Sequence, residues 1–267
     1  MIHAAVDGYR KAKQKAMSAD DSLQVGLIVL RKAYVENMPA EFKSDPCPDE
    51  RYSLANAERL FGGYVEKFEP HNLEFLYLEQ SLGVPLGKVR GRDVILAGIV
   101  DATVKMQGLI FVNDIKTTAK PITQNYLDNF RLSQALMGYY YMSKKLMSEP
   151  IYGALIHAVW VQKEAKNSKA AKSLSEYFHA ATYTYDDSQM DEWLENTLTT
   201  VDEILWAYET EKWPLNLGES CAMYNGCTYR GICWTTPAGR ARVAEMDFEK
   251  WTWTPLEDVR SRRLEED

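Results

Sequence analysis

The chain has 267 residues, 46% of them hydrophobic and 12% aromatic, enough to bury a core as one large domain or two small ones and too apolar for a disordered polymer. No apolar run approaches the ~20 residues of a membrane span, and the opening MIHAAVDGYRKAK lacks a signal peptide's apolar stretch, so a cytoplasmic protein without a membrane partner is expected. A formal net charge of −7 argues against a chain-wide electrostatic hold on nucleic acid.

In chain order, helical spacing predicts helices over 2–17 and 21–37, the second with Leu23, Leu27, Leu30 and Tyr34 on one stripe. Prolines and charges from Pro39 to Arg51 predict a loop. A third helix is expected from Leu54 to about Phe68, ended at His71–Asn72. The period then changes. Residues 73–80, 93–101 and 109–117 read as strands separated by Gly, Pro and polar clusters. One long helix is expected over 123–146, strands over 153–162 and 177–185, and an amphipathic helix over 188–211 closed by Trp213–Pro214. No internal repeat interrupts this order. The pattern implies a single α/β domain over 1–267, with a helical N-terminal part (1–70), a core (71–212), a cysteine-bearing segment (213–240) and a charged tail (241–267).

The most informative stretch is DVILAGIVDATVKMQGLIFVNDIKT, residues 93–117. Two apolar runs flank Gln107–Gly108, a two-residue hairpin turn. Residues whose numbers sum to 215 then face each other, and Asp101 falls opposite Asp114. Strand alternation puts Lys116 on the same face. Like charges directly opposed are destabilising, so two carboxylates in an otherwise apolar hairpin point to a bound divalent cation. The backbone carbonyl of Ile115 offers a further hard-oxygen ligand. Phosphodiester hydrolysis suits such a set, with a metal to activate water and a lysine to orient it or to neutralise charge on the phosphate. The plain alternative is two strand-end aspartates and a surface lysine in a weak ion pair.

Gly98-Ile99-Val100-Asp101 and Asn113-Asp114-Ile115-Lys116-Thr117 resemble motifs II and III of the PD-(D/E)XK nucleases in their RecB-like branch, which includes bacterial repair, CRISPR-adaptation and phage nucleases. The resemblance implies a restriction-endonuclease-like core, a central mixed β-sheet flanked by helices, and a metal-dependent deoxyribonuclease, read as an exonuclease, using Mg²⁺ or Mn²⁺. DNA would be the substrate, and recombination or repair proteins the partners. Met1-Ile2-His3-Ala4-Ala5-Val6 resembles the helix carrying the family's G-x-x-x-H histidine, which implies that His3 is a metal ligand. The motif's glycine would lie ahead of Met1, so the chain begins inside that motif. Ser133-Gln134-Ala135-Leu136-Met137-Gly138-Tyr139 resembles the Q-x-x-x-Y helix, which implies that Gln134 and Tyr139 support the lysine and the DNA; Gly138 holds the fourth position, and helix geometry puts Tyr141 on the face of Gln134.

Cys221, Cys227 and Cys233 fall within thirteen residues, and Cys47 stands between Pro46 and Pro48. The C-terminal segment resembles the cysteine cluster of iron–sulfur members of the family, in which an N-terminal cysteine completes a [4Fe–4S] site. Cys47 is the candidate for that fourth ligand here. Zinc and plain reduced thiols are the alternatives, and the close C-x-x-C pairs of usual zinc sites are missing. DNA contact would need a local basic face, for which Lys11–Lys15, Lys163–Lys172 and Arg230–Arg242 are the candidates; each also reads as ordinary solvated surface. The competing functions are a catalytically impaired DNA-binding relative and an iron–sulfur or zinc interaction module. No phosphate-binding P-loop motif is present, which argues against ATP-driven unwinding by this chain.

Overall fold

The structure is a computed structural model that describes residues 1–43, 47–164, 172–215, 218–222 and 226–252. The chain divides into two compact units, one of Met1–Leu86 with Ile95–Leu194, the other of Gly87–Val94 with Glu195–Asp267.

The first unit begins with three helices, α1 (Ile2–Gln14), α2 (Ala19–Asn37) and α3 (Leu54–Phe68). Ser18 and Ser53 cap α2 and α3, each accepting a backbone N–H three residues on. Five strands follow: β1 (Glu74–Val89), β2 (Arg92–Met106), β3 (Leu109–Thr118), β4 (Ile151–Trp160) and β5 (Phe178–Tyr183). They form one sheet in the order β1-β2-β3-β4-β5, with β2/β3 and β4/β5 antiparallel and β3/β4 parallel. The parallel pair needs a crossover, and α4 (Gln124–Asp128) and α5 (Gln134–Leu146) supply it. This mixed sheet flanked by helices is the expected α/β core.

β4 is buried along its length apart from Tyr152, as befits a strand paired on both sides. The main core lies between the sheet and the N-terminal helices, where Val6, Leu30, Leu60 and Phe61 meet Ile115, Val159 and Phe178. Each such side chain contributes about 1.5–3 kcal/mol by leaving water, and truncating Leu60 to alanine would cost about 2–5 kcal/mol. A smaller cluster of Ala102, Val104, Phe111 and Leu155 supports the hairpin, with Phe75 and Leu78 of β1 packed on it.

Several boundaries differ from the sequence expectation for local reasons. The single helix expected over 123–146 is two, because the chain turns at Asn129–Leu132 and Ser133 starts a new helix by accepting the Leu136 amide. β1 runs on through Gly83, Pro85 and Gly87, which read as breakers; on an edge strand the missing proline donor is tolerated.

In the second unit the β1–β2 turn joins the remainder of α6 (Asp187–Thr210): Arg90 bonds Asp202 at 2.7 Å and Glu209 at 3.3 Å. Two short helices, α7 (Arg230–Trp234) and α8 (Arg240–Asp247), lie where only a segment and tail were expected. The end of that tail, from residue 253, is outside the described residues, as are 216, 217 and 223–225 of the cysteine segment.

Candidate active site

The β2–β3 hairpin turns at Gln107–Gly108, both with positive φ (52° and 83°), which the two-residue hairpin turn requires. Its register is the expected one: Met106 pairs with Leu109, Val104 with Phe111, and Ala102 with Asn113. One step further lie Asp101 and Asp114. There the Asp101 carboxylate accepts the Ile115 N–H at 3.2 Å. In a strand a residue's N–H and C=O point to the same side, so the Ile115 carbonyl is directed toward β2 as well.

Asp114 is 5% exposed, and Lys116 reaches it with Nζ 2.6 Å from Oδ2. Burial pushes the Asp114 carboxyl up to about 6; the Asp101 charge adds to the rise, while Lys116 opposes it. Two carboxylates and a backbone carbonyl are a hard-oxygen donor set of the kind Mg²⁺ and Mn²⁺ prefer. Asp101, Asp114 and Ile115 O are the groups that would hold such an ion. Among the described residues no three His, Cys, Asp or Glu side chains are gathered into a metal-holding group.

His3 is exposed on the first turn of α1. Partial desolvation lowers its pKa, and the nearby Asp101 charge works against that. It therefore lies within electrostatic reach of the carboxylate and of Lys116. Tyr139 is half-buried, its hydroxyl pKa raised by burial and then by the charges of Asp114 and Asp101. Tyr141, the residue favoured by helix geometry, instead packs its ring 5.4 Å from that of Trp193. Gln134 is exposed at the start of α5 and makes no side-chain bond to Asp101, Asp114 or Lys116 among the described residues.

The four cysteines are half-buried and none is in a disulfide. Cys47, in the first unit, directs its thiol to the Asp49 carbonyl at 3.2 Å. In the second unit the Cys227 amide bonds the Cys221 carbonyl, which folds that segment on itself. Of the basic stretches, Lys11 and Lys13 are paired with Asp7 and Glu69, Lys163 with Glu50 and Lys172 with Glu176. Residues 165–171 lie outside the described residues.

Sequence reasoning missed three groups beside this site. Glu79, held at φ 49°, has its carboxyl pushed up by partial desolvation and by the charges of Asp7 and Asp101. Arg10 forms a buried bond with Asn113, the residue before Asp114 in β3. Arg10 sits two helical turns from His3, the one sequence signal that could have linked it to the site.

The model of the PD-(D/E)XK nuclease superfamily matches residues 1–234. Among solved structures, a candidate exonuclease from Eubacterium rectale is 11% identical, with a TM-score of 0.42, covering 96% of this chain and 77% of its own. The structure of SSO0001 is 12% identical, with a TM-score of 0.31, covering 73% of this chain and 74% of its own. No curated protein matches the sequence. The family match spans the N-terminal helices, the whole sheet and the carboxylate hairpin, and this chain belongs to the PD-(D/E)XK nuclease superfamily.

Proposed function

We propose that this nuclease hydrolyses DNA phosphodiester bonds at the β2–β3 hairpin with one or two Mg²⁺ or Mn²⁺ ions. The observation that carries the reading is the juxtaposition of Asp101, Asp114 and Lys116, with Lys116 bonded to the buried Asp114. When bound, the cation would supply Lewis acidity, acidifying water and polarising a phosphoryl oxygen. Asp101, Asp114 and the Ile115 carbonyl hold that charge, and His3 adds an imidazole nitrogen from α1. Its lowered pKa supports the role, because only the neutral ring is a ligand. Lys116 orients the attacking water or balances negative charge growing on the phosphate. Tyr139 and Gln134, on α5, meet the DNA. Exonuclease action is the finer part of the reading.

The test is cleavage of 5′-end-labelled linear DNA, single- and double-stranded, with Mn²⁺ and with EDTA. Metal-dependent shortening of the linear DNA from an end, with a covalently closed circle left intact, supports the exonuclease reading, and cutting of the circle supports an endonuclease at the same site. Cleavage that persists in EDTA, or intact DNA under every condition, would overturn it, the second outcome favouring a catalytically impaired DNA-binding relative.

A further inference from the structure

Arg10 is 2% exposed, yet among the described residues it forms no ion pair. Its Nη2 donates to Tyr64 Oη at 3.1 Å and to Asn113 Oδ1, and its guanidinium lies over the Phe75 ring, 5.6 Å from the centroid. Its hydrogen-bond partners are neutral, and Glu79, whose carboxyl feels its charge, is not bonded to it; burying a cation in this way is costly. What Arg10 does is join elements. Asn113 accepts from it and, through Nδ2, donates to the Leu155 carbonyl of β4 at 2.9 Å. Asn113 also forms the last rung of the β2–β3 ladder, with Ala102, immediately before Asp114.

The other arm is equally defined. Tyr64 Oη meets His157 Nδ1 at 2.9 Å, and His157 is fully buried and stacked on Phe68 at 3.8 Å. Burial keeps the His157 ring neutral. These bonds join α1, α3, β3 and β4.

We propose that Arg10 is a positioning residue for the carboxylate hairpin: through Asn113 it fixes β3 beside Asp114 and ties that strand to the helix carrying His3. The metal part of this proposal rests on the nuclease reading above; the backbone part does not. A hydrophobic replacement would fill the volume but leave Asn113 Oδ1 unheld, and a lysine, whose nitrogen sits nearer the backbone than the Nη2 that serves both partners, would reach them less well.

The test is hydrogen exchange of metal-free protein, followed by Mn²⁺ titration. Arg10→Met should speed exchange of the Asn113–Lys116 amides at least tenfold more than that of Ala180–Tyr183 in β5. It should also weaken Mn²⁺ binding by about tenfold, the scale for loss of a supporting contact at a metal site. Arg10→Lys should restore part of the thermal stability but less of the Mn²⁺ affinity. If Arg10→Met does not fold, Asn113→Ala removes the same contact from the other side and should give the same local exchange. Exchange that rises no more in β3 than in β5, in whichever of the two variants folds, overturns the proposal. Wild-type protein that binds no Mn²⁺ would instead sink the nuclease reading, while the exchange result still decides the role of Arg10.

Discussion

The Asp101 carboxylate accepts the Ile115 amide at 3.2 Å, at the point where the register would next offer that amide to the backbone of Val100. A side chain thus replaces a backbone rung. The paired ladder ends before Asp114 while the Ile115 N–H stays satisfied.

This geometry separates two roles of Asp101. Asp101→Asn keeps an oxygen acceptor for Ile115, so stability should change by less than about 1 kcal/mol, whereas Asp101→Ala leaves a polar group unpaired and should cost about 1–3 kcal/mol. Both should reduce cleavage at least a hundredfold, because neither keeps the charge. Urea melts alongside cleavage rates check this, and an active Asp101→Asn would show the carboxylate to be structural only.

The Asp114 carboxyl is pushed up to about 6 by burial, and the sign of the linkage follows. The metal-free native state holds this proton more tightly than the unfolded chain does. Its stabilising contribution is therefore complete below about pH 4 and is lost as pH rises through about 6. Asp114→Asn should remove that decline from urea midpoints measured in EDTA. A cation competes for the same carboxylate, so wild-type Mn²⁺ affinity should fall as pH drops below about 6, with proton uptake or release visible by calorimetry in two buffers. Affinity flat from pH 5 to 7 would disprove the competition.

Lys116 lies 2.6 Å from Asp114, a cation beside the proposed metal ligand. Lys116→Met should lower kcat by about a hundredfold or more, the scale for losing one charge-stabilising group. Mn²⁺ binding should be kept or tightened, since a like charge has gone. Weaker Mn²⁺ binding in this variant would mean that Lys116 holds the site together rather than acting on the phosphate.

The two tyrosines of α5 give an internal control. Tyr139 feels both carboxylates, whereas Tyr141 packs on Trp193. Tyr139→Phe should slow cleavage or raise the KM for DNA severalfold, with Tyr141→Phe close to wild type. The reverse ranking would return the motif to Tyr141.

For the cysteines, soft thiolates favour iron, or failing that zinc, over Mg²⁺. Were the cysteines to hold a cluster as the resemblance to the iron–sulfur members implies, anaerobically purified protein would carry iron, lost in Cys227→Ser while Mn²⁺-dependent cleavage survives in part. Elemental analysis and visible absorption measure it, and metal-free protein of full activity would make all four reduced structural thiols.

The hairpin was legible because its information is local: Gln107–Gly108 fixes the turn, alternation fixes the faces, and the register follows by arithmetic. The break before Ser133 was not, since no Pro or Gly marks Asn129–Leu132 and the new helix is set by a serine cap. Arg10 was the hardest residue to read. In Arg10-Lys11-Ala12-Lys13-Gln14-Lys15 it looks like one more surface charge, and only the packing of α1 on Tyr64 and Asn113 makes it a buried one. That Tyr139 feels the charges of Asp101 and Asp114 was foreshadowed only by the motif, because helical spacing alone pointed to Tyr141.

The most direct test of the central claim is the rate of Mn²⁺-dependent cleavage of end-labelled DNA by Asp114→Asn beside wild type, at matched folded fractions. This substitution preserves shape and removes the buried charge on which both metal and lysine depend. The account predicts cleavage by wild type that EDTA abolishes, and at least a hundredfold loss in the variant. Undiminished cleavage by Asp114→Asn would contradict it and move the active centre away from the hairpin.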